Sequence, residues 1–414
     1  MIGRQSMTSA RRRFLKYLAA SPLLAGSDLL AQEQRLPDPM VWAPRVLQPL
    51  IESPRDALSV FDFEPVMQKN VPPAHFGYMA TGIDDEVTLR ANREGFQKFQ
   101  LLPRRLVDVS QVDLGLELFG RSYGSPVVLA PTGSNKAFHE DGDLAVSRAA
   151  RRSNNLQILS TVATASIEQA IEARGRPVWF QLYPTNKWSV AEALAIRAEK
   201  AGAETIVVTV DVVARQNWET YMRLWRTDKR ACGECHGLGL ASFVRRKPHF
   251  DGLDLSGVES TGATNLTWAF IKRLRDTVKT RLVLKGLMTA ADALLAVENG
   301  LDAIIVSNHG GRDDDFGRST IDALPEIVEA VDGRIPVLVD SGFRRGTDIV
   351  KALALGARAV CIGRPYLWGL GAFGQAGVEA VLSLLQQETR AAMQQVGVRS
   401  LKQIGPALVR RVQP

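Results

Sequence analysis

The residues best suited to catalysis lie between Ser307 and Arg312, a segment with the sequence Ser-Asn-His-Gly-Gly-Arg. An imidazole takes up a proton near neutral pH, so His309 is the candidate general base. Arg312 follows it by three residues and could hold a carboxylate through two parallel hydrogen bonds. A lone histidine is more often a hydrogen-bonded core residue, but a polar, glycine-rich setting directly after an apolar run favours a proton-transfer site.

Other polar residues that could support this chemistry also follow apolar runs. Asp211 could orient the His309 imidazole and stabilise its charged form. Lys285 could stabilise negative charge on the ring of a reduced cofactor. Gln181 and Tyr183 lie at the end of another apolar run. Polar groups that follow every apolar run are not needed by a purely structural protein, so they indicate an active site.

Two glycine–arginine segments indicate an anion site. The first reads Asp340-Ser341-Gly342-Phe343-Arg344, and the second contains Gly363 and Arg364. Glycines let the backbone approach an anion closely, helix N-termini supply partial positive charge, and arginine adds a full charge. The two segments together predict a phosphate site.

These residues must be positioned by the elements that precede them, and eight short apolar runs alternate with amphipathic segments. Continuous apolar strands separated by helices are typical of a parallel sheet covered on both faces, and eight units favour an α/β fold of the closed (β/α)8 TIM-barrel class. The active site of such a barrel lies at the C-terminal ends of its strands, where the residues above stand. The runs are Val127–Ala130, Gln157–Ser160, Val178–Leu182, Thr205–Thr209, Leu282–Leu284, Ala303–Ser307, Pro336–Asp340 and Ala359–Ile362.

The barrel is predicted to occupy residues 75–405, with a long insertion at residues 211–262 after the fourth strand. An insertion on that side of a barrel is expected to cover the catalytic face. Residues 32–74 are rich in proline and polar groups and are interpreted as a linker with one helix near Asp56 to Gln68. Residues 1–31 form a separate, signal-like segment.

The N-terminal segment resembles a twin-arginine export signal. Arg11, Arg12 and Arg13 precede Phe14 and a short, mildly apolar stretch that ends near Gly26. The stretch is too short to span a bilayer as a stable helix, so no integral membrane span is expected. Periplasmic or exported localisation follows from this interpretation, and a basic N-terminal tail is the alternative.

Bulk composition is that of an ordinary globular protein. The chain has 414 residues, 45% of them hydrophobic, and a formal charge of +7. Because its basic residues are spread along the chain with no basic tail or aromatic–basic patch, an anion-tolerant surface is favoured over nucleic-acid binding. Three cysteines exclude a disulfide framework, and Cys361 is expected in the core.

The remaining two cysteines belong to a motif inside the insertion. Cys232, Cys235 and His236 have the Cys-x-x-Cys-His spacing of c-type haem attachment, with His236 as the iron ligand. An exported protein would also favour a local disulfide, and a partial metal site is a third interpretation. His249 and Met222 are candidates for a distal haem ligand.

The motifs, taken in order, resemble the FMN-dependent 2-hydroxy-acid oxidases and dehydrogenases, which include glycolate oxidase, lactate oxidase, mandelate dehydrogenase and flavocytochrome b2. The resemblance covers residues 55–405 and implies a homo-oligomer, commonly a tetramer, with FMN as cofactor. It implies that substrate meets Tyr78, Tyr183, His309 and Arg312, with His309 taking a proton as the flavin accepts two electrons. The residues it assigns to FMN are Pro131, Thr132, Gly133, Ser160, Gln181, Thr209, Lys285, Ser307, Asp340, Gly342, Arg344, Gly363 and Arg364.

Two departures from the family pattern bear on the substrate. The family places a second substrate-binding arginine nine residues after the position of Thr209, where this chain has Trp218. Arg215 and Arg223 are nearby and could replace it, and an indole there favours an apolar or aromatic substrate. The acidic run at residues 313–315 replaces a more neutral sequence, and its charge is expected to disfavour anionic substrates.

The sequence therefore predicts FMN-dependent oxidation of a lactate-like or larger, aromatic 2-hydroxy acid to the 2-oxo acid. Oxidation of a non-acid alcohol or a peptide-derived substrate is the alternative, and an electron-transfer protein with flavin and haem is another. For an exported enzyme, a quinone or a cytochrome is the expected electron acceptor.

Overall fold

The computed structural model describes residues 49–213, 216–229, 240–244 and 246–412. Eight parallel strands close into a barrel in which each strand pairs with the next along the chain and the eighth pairs with the first. This confirms the predicted TIM barrel. The strands are β1 (Val127–Leu129), β2 (Leu156–Ser160), β3 (Trp179–Leu182), β4 (Thr205–Thr209), β5 (Arg281–Leu287), β6 (Ala303–Val306), β7 (Val337–Val339) and β8 (Ala359–Ile362).

The strands are mostly apolar because helices cover the outside of the barrel and side chains fill the inside. Every residue of β1 to β4 and of β6 to β8 is buried. The register between β4 and β5 places Thr209 beside Lys285 at the C-terminal ends of the two strands. Near this point Gly286 adopts a φ of 113°, and a Cβ on it would lie 2.8 Å from the Asp211 side chain. Glycine at 286 therefore lets Asp211 approach the mouth of the barrel.

A helix follows each strand, and polar caps mark several of their N-termini. Ser166, Thr289 and Ser319 each accept a backbone hydrogen bond from the first turn of the helix that follows. The helices expected from the amphipathic segments between the apolar runs are present. The barrel helices are α1 (Gly142–Ser153), α2 (Ile167–Arg174), α3 (Trp188–Lys200), α4 (Trp268–Thr277), α5 (Ala290–Glu298), α6 (Thr320–Val331), α7 (Gly346–Ala354) and α8 (Arg364–Val396).

The last helix is bent where Phe373 and Gly374 leave helical geometry. Gly374 has a φ of 59°, which a glycine adopts without strain. The bend brings the two halves of α8 close enough that a Cβ on Gly377 would lie 1.9 Å from the carbonyl oxygen of Gly369. The small residues of α8 therefore allow a tight packing that larger side chains would exclude.

The segment before the barrel contains the helix predicted near Asp56 to Gln68, at Phe63–Asn70, but the rest of it departs from the predicted linker. Residues 54–74 contain two short 3-10 turns (Pro54–Asp56 and Val60–Asp62), the helix Phe63–Asn70 and the start of the helix Pro73–Ala80. Phe63 is fully buried and its ring meets that of Phe373 edge-on at 6.1 Å. These residues pack on α8 because their aromatic side chains supply part of its apolar cover, so the compact unit begins before residue 75.

Shorter elements complete the periphery. The hairpin of Leu116–Leu118 and Arg121–Tyr123 packs on the end of the barrel where the strands begin, with the Phe119 ring 5.7 Å from that of Trp179. Phe99–Leu101 pairs antiparallel with Val409–Arg411. The other short elements are the helices Val87–Glu94, Glu219–Thr227 and Leu240–Val244 and the 3-10 turns Gly95–Lys98, Asn135–Ala137, Pro248–Phe250, Leu401–Gln403 and Pro406–Leu408.

The described parts of the insertion are fixed to the C-terminal ends of the first two strands. Lys247 Nζ donates to Ser134 Oγ at 2.6 Å, and His249 Nδ1 lies 2.9 Å from the carbonyl oxygen of Thr161. Both side chains are buried. Among the helices of the described residues, none has the length and apolarity that crossing a bilayer requires.

Candidate active site

The loop after β6 presents His309 through an unusual backbone. His309, Gly310 and Gly311 have φ values of 56°, 72° and 73°, three successive residues in the left-handed region. A Cβ on Gly311 would lie 2.6 Å from the backbone nitrogen of Leu89, so only glycine fits there. Gly310 and Gly311 therefore make the tight turn possible, and His309 is the one residue of the three that has a side chain.

The two imidazole nitrogens of His309 have different surroundings. Nδ1 lies 3.0 Å from Asp211 Oδ1 and 2.8 Å from Asp313 Oδ2. Nε2 lies 3.3 Å from the Tyr183 hydroxyl, and both side chains line the same cavity. The carboxylates keep a proton on Nδ1, so Nε2 is the nitrogen that can exchange a proton with a bound molecule.

The charges around His309 decide its protonation. Burial works against a charged imidazole, but Asp313 and Asp211 outweigh burial and the nearby Lys285 and raise the pKa of His309 to about 9. Burial works in the other direction on the hydroxyl of Tyr183 and raises its pKa well above the ordinary value, helped by the same two carboxylates. The site therefore stabilises an imidazolium beside a neutral phenol.

Lys285 is a second buried cation in the site. Its ammonium donates to Ser307 Oγ at 3.0 Å and lies 3.5 Å from Asp340 Oδ2 and 3.9 Å from Asp211 Oδ2. Burial disfavours the charged form, but Asp340 and Asp211 outweigh it and raise the pKa of Lys285. The lysine is therefore held as a cation that can oppose negative charge at the mouth of the barrel.

Arg312 is held between two aromatic rings. Its guanidinium carbon lies 4.9 Å from the Tyr78 ring centre and 5.2 Å from that of Trp218. Its Nη1 donates to the carbonyl oxygens of Tyr78 and Thr81, and the Trp218 indole donates to the carbonyl oxygen of Arg312 at 3.1 Å. Trp218 thus fixes the loop of the arginine that the sequence assigns to the substrate.

No arginine of the described residues fills the place of a second substrate-binding arginine beside Trp218. Arg223 has a 77% exposed side chain that pairs with Glu219, and it is not among the residues that line the cavity. Arg215 lies outside the described residues.

A cavity opens at the C-terminal end of the barrel, and thirteen of the residues that the sequence assigns to FMN or substrate line it. Its walls carry apolar side chains as well, including Val162, Met79 and Leu367. The thirteen residues are Tyr78, Pro131, Thr132, Gly133, Tyr183, Lys285, His309, Arg312, Asp340, Gly342, Arg344, Gly363 and Arg364.

The other predicted residues lie behind this lining. Ser160 Oγ donates to Gln181 Oε1 at 2.9 Å, Thr209 sits beside Lys285 in the sheet, and Ser307 accepts from Lys285. Gln181 Nε2 and Thr209 Oγ1 are buried and have no hydrogen-bond partner among the described residues. Buried polar atoms of this kind are normally satisfied, so they fit a cofactor whose ring edge offers both donors and acceptors, as a flavin does.

The two arginines of the phosphate prediction are buried at the strand ends. Arg344 lies over the Trp368 ring and donates to the carbonyl oxygen of Phe343. Arg364 donates to the carbonyl oxygens of Met79, Thr81 and Gly310, and burial lowers its pKa to about 9. Both arginines line the cavity, together with Gly342 and Gly363.

Sequence reasoning missed the role of Asp313. The acidic run was expected to act as one block of charge, but the structure separates its members. Asp314 accepts from the Thr88 hydroxyl and Asp315 from the backbone nitrogens of Asp85 and Thr88, so only Asp313 turns toward His309. The only signal in the sequence was the spacing of four residues between His309 and Asp313. Because the chain between them forms a left-handed turn, that spacing alone does not predict their contact.

The cysteine motif and the export signal cannot be placed. Cys232, Cys235 and His236 lie outside the described residues, as do residues 1–48. His249, offered as a distal haem ligand, is buried against the Phe180 ring and bonded to Thr161, and burial lowers its pKa to about 4.

Comparisons with known proteins agree with this geometry. Residues 67–411 match the family model of the FMN-dependent dehydrogenases. The chain is 40% identical to L-lactate oxidase of Lysinibacillus sphaericus (strain C3-41), over 82% of this chain and 89% of that protein. It is 38% identical to glycolate oxidase 3 of Arabidopsis thaliana, over 84% of this chain and 94% of that one.

Solved structures give the same result. A soluble mutant of the membrane-associated (S)-mandelate dehydrogenase from Pseudomonas putida superposes with a TM-score of 0.79 at 34% identity. The superposition covers 86% of this chain and all of that one (100%).

Proposed function

Because the chain belongs to the FMN-dependent dehydrogenase family and is an oxidoreductase that acts on a 2-hydroxy acid, we propose that His309 Nε2 is the base that takes a proton from the substrate. The observation that carries this proposal is the pair of carboxylates on Nδ1, which directs Nε2 into the cavity beside Tyr183.

The side chains of this site can bind, orient and deprotonate a 2-hydroxy acid. Arg312 holds the substrate carboxylate, and the Tyr183 hydroxyl hydrogen-bonds the substrate oxygen next to His309. His309 Nε2 accepts one proton, and Asp211 stabilises the resulting imidazolium. Bound FMN supplies the acceptor for the two electrons.

Most of the residues proposed to hold FMN line the cavity, and the others lie directly behind that lining. Gln181 and Thr209 supply the polar atoms that lack partners, and Lys285 opposes negative charge on the reduced ring. The backbone at Gly342 and Gly363 with Arg344 and Arg364 forms the phosphate end. Pro131, Thr132 and Gly133 close the third side.

We assign the substrate to lactate-like or larger, aromatic 2-hydroxy acids. One arginine remains for the carboxylate, while Tyr78, Trp218 and Tyr221 form a cluster of edge-to-face rings beside it. A non-acid alcohol or a peptide-derived substrate is the competing proposal, supported by the same loss of an arginine.

Anaerobic flavin reduction tests both the base and the substrate. Lactate, glycolate, mandelate and long-chain 2-hydroxy acids are mixed with the FMN-loaded enzyme and bleaching of the flavin band is followed. The His309→Ala variant should retain FMN and lose bleaching by at least about 100-fold, the contribution of a general base. Near-normal bleaching in that variant would place the base elsewhere, and bleaching by neutral alcohols alone would favour the competing substrate class.

Export and the electron acceptor form a separate proposal, supported by the arginines at positions 11 and 12 and the apolar stretch after them. An enzyme exported in folded form would pass electrons to a quinone or a cytochrome. Replacing Arg11 and Arg12 by lysine should retain the protein in the cytoplasm, and cell fractionation measures this. Equal distribution of the variant and the native chain would exclude the signal.

The Cys232–Cys235–His236 motif and the assembly state are tested directly. A pyridine haemochrome assay together with mass spectrometry of the cysteine peptide separates haem attachment, a disulfide and a metal site. A homotetramer is proposed by resemblance to the family, and light scattering of the purified enzyme measures it.

A further inference from the structure

The His309 imidazole is contacted by two carboxylates from two different loops. Asp211 follows β4 and reaches Nδ1 at 3.0 Å, and Asp313 follows β6 and reaches the same nitrogen at 2.8 Å. The Asp313 side chain is 5% exposed and the Asp211 side chain 11%. One carboxylate is enough to fix the imidazole tautomer, so the second calls for a function of its own.

Asp313 is itself held from the insertion. Its second oxygen, Oδ1, accepts a hydrogen bond from Gln216 Nε2. Gln216 lies between Asp211 and Trp218 on the loop after β4. Its hydrogen bond to Asp313 therefore joins the loops after β4 and β6 next to His309. The carboxylate is thus fixed at both oxygens, one on the imidazole and one on an amide.

We propose that Asp313, held by Gln216, is a second positioning carboxylate that shares with Asp211 the task of holding the His309 imidazole and the proton it receives. The inference rests on the proposed function of His309 as base. It adds a residue that is not among those lining the cavity and that acts through the histidine.

The charged and titratable groups that face His309 support this assignment. Asp211 and Asp313 favour the imidazolium, and Lys285 opposes it. Two further titratable groups are near the imidazole. The Tyr183 hydroxyl lies near Nε2, and Arg312 directly precedes Asp313 in the loop after β6. The two carboxylates together outweigh the single nearby ammonium, so removal of either charge must lower the proton affinity of the imidazole.

The consequence for the reaction follows from the proton balance. Oxidation of the substrate carbinol to the carbonyl removes two electrons and two protons. One proton would go to His309 Nε2, and the two electrons and the remaining proton would be taken up by bound FMN. Asp313 stabilises the imidazolium that results. The same stabilisation leaves few neutral imidazoles at rest below the titration midpoint, so flavin reduction should rise with pH up to that midpoint.

The test is the titration of His309 in the FMN-loaded enzyme without substrate. Imidazole resonances of histidine-labelled protein are followed by NMR against pH, with the His309 signal assigned by its loss in His309→Gln. The Asp313→Asn variant keeps an oxygen acceptor and removes the charge. It is expected to lower the His309 midpoint by at least about one pH unit, the size of a contact with an opposite charge.

The matched control is Asp315→Asn, the same change two residues along. Asp315 accepts backbone hydrogen bonds from Asp85 and Thr88 and does not contact His309, so its midpoint should stay at the native value. If Asp313→Asn fails to bind FMN, Gln216→Met removes the amide donor at similar size and should lower the midpoint in the same direction.

A kinetic measurement accompanies the titration. The acid limb of the rate of flavin reduction should move to lower pH in Asp313→Asn and return toward the native position in Asp313→Glu, which restores the charge. A midpoint shift below about half a unit, or one equal to that of Asp315→Asn, would overturn the inference. This failure is distinct from failure of the base assignment, which His309→Gln would show by reducing flavin at the native rate.

Discussion

At the scale of single residues, the substrate end of the cavity combines one arginine with aromatic rings. Arg312 is stacked between Tyr78 and Trp218 and anchored through backbone carbonyls. The indole occupies a position where the family pattern has a second cation. An apolar surface therefore stands in place of a charge beside the arginine that we propose to bind the carboxylate.

Replacing Trp218 by arginine should restore small-acid binding. A second charged hydrogen bond to the carboxylate contributes about 1.5–3 kcal/mol, so the KM for lactate or glycolate is expected to fall by about tenfold or more. Steady-state kinetics of Trp218→Arg measure this. Trp218→Phe is the control, because it removes the indole donor and adds no charge. An equal KM in both variants would show that the carboxylate does not reach this position.

The base also gives a pH dependence of stability. The pKa of His309 is raised by folding to about 9 from an ordinary 6.5, so the folded state holds a proton that the unfolded state releases. The stabilisation is therefore complete below pH 6.5 and is lost as pH rises through 9. Between pH 6.5 and 9.5 the free energy of unfolding of His309→Gln should fall less than that of the native enzyme, and thermal unfolding measures both. Parallel curves for the two proteins would contradict this.

At the scale of elements, loops after the strands carry the chemistry and the strands fix where those loops begin. The turn after β6 needs glycine at 311, because Leu89 backbone lies where a side chain would be. The insertion after β4 is fastened by Lys247 and His249 to the ends of β1 and β2. Both arrangements join segments that are distant in sequence.

Gly311→Ala should displace the base without unfolding the barrel. A methyl group at a φ of 73° and 2.6 Å from Leu89 must move either the turn or the helix Val87–Glu94. Flavin reduction is expected to fall by about 100-fold or more, because small displacements of a catalytic group are costly. Gly333→Ala is the control, since it has a similar φ of 68° and open space around it. Similar losses in both variants would assign the effect to backbone strain alone.

The anchor of the insertion should release in acid. The pKa of His249 is lowered by burial to about 4 from 6.5, so the unfolded imidazole binds a proton that the folded one refuses. The stabilisation is present above pH 6.5 and is lost as pH falls through 4, by up to about 3 kcal/mol.

Hydrogen exchange measures this release. Amides of residues 247–253 should exchange faster at pH 5 than at pH 7 after correction for intrinsic rates. The His249→Asn variant, which keeps a donor for Thr161 and does not titrate, should lose that difference. Unchanged pH dependence in the variant would assign the release to another group.

At the scale of the whole molecule, the barrel is completed by chain outside it. The helix Phe63–Asn70 covers the bent part of α8, and the strand Val409–Arg411 returns to pair with Phe99–Leu101. The final helix begins at the cavity with Gly363 as its N-cap, so its packing is coupled to the proposed phosphate end.

Phe63→Ala should therefore destabilise the whole fold. A fully buried phenyl ring truncated to a methyl group costs about 3–5 kcal/mol. Chemical denaturation of the FMN-loaded enzyme measures the loss. Leu58→Ala on the same segment is the control, because Leu58 is 88% exposed and such changes stay within about 0.5 kcal/mol. Equal free energies of unfolding for the two variants would show that this segment does not stabilise the barrel and acts only as a linker.

The sequence by itself determined the barrel and most of the candidate site. Strands buried on both faces leave a continuous apolar signal in the sequence. Polar residues directly after them must meet at one end of a parallel barrel, so the sequence alone places His309, Lys285 and Arg364 together. Residues 54–74 were predicted as a linker with one helix, because their aromatic residues gain cover from α8, some 300 residues later.

Only the tertiary structure decided which neighbours those residues have. Asp313 lies near His309 because a left-handed turn folds the chain back, and Gln216 meets it because two loops converge over the barrel. No periodicity encodes either contact. The proton affinity of the base depends on the distances of Asp211, Asp313 and Lys285 from one imidazole, and distances between side chains from separate loops exist only once the barrel has closed.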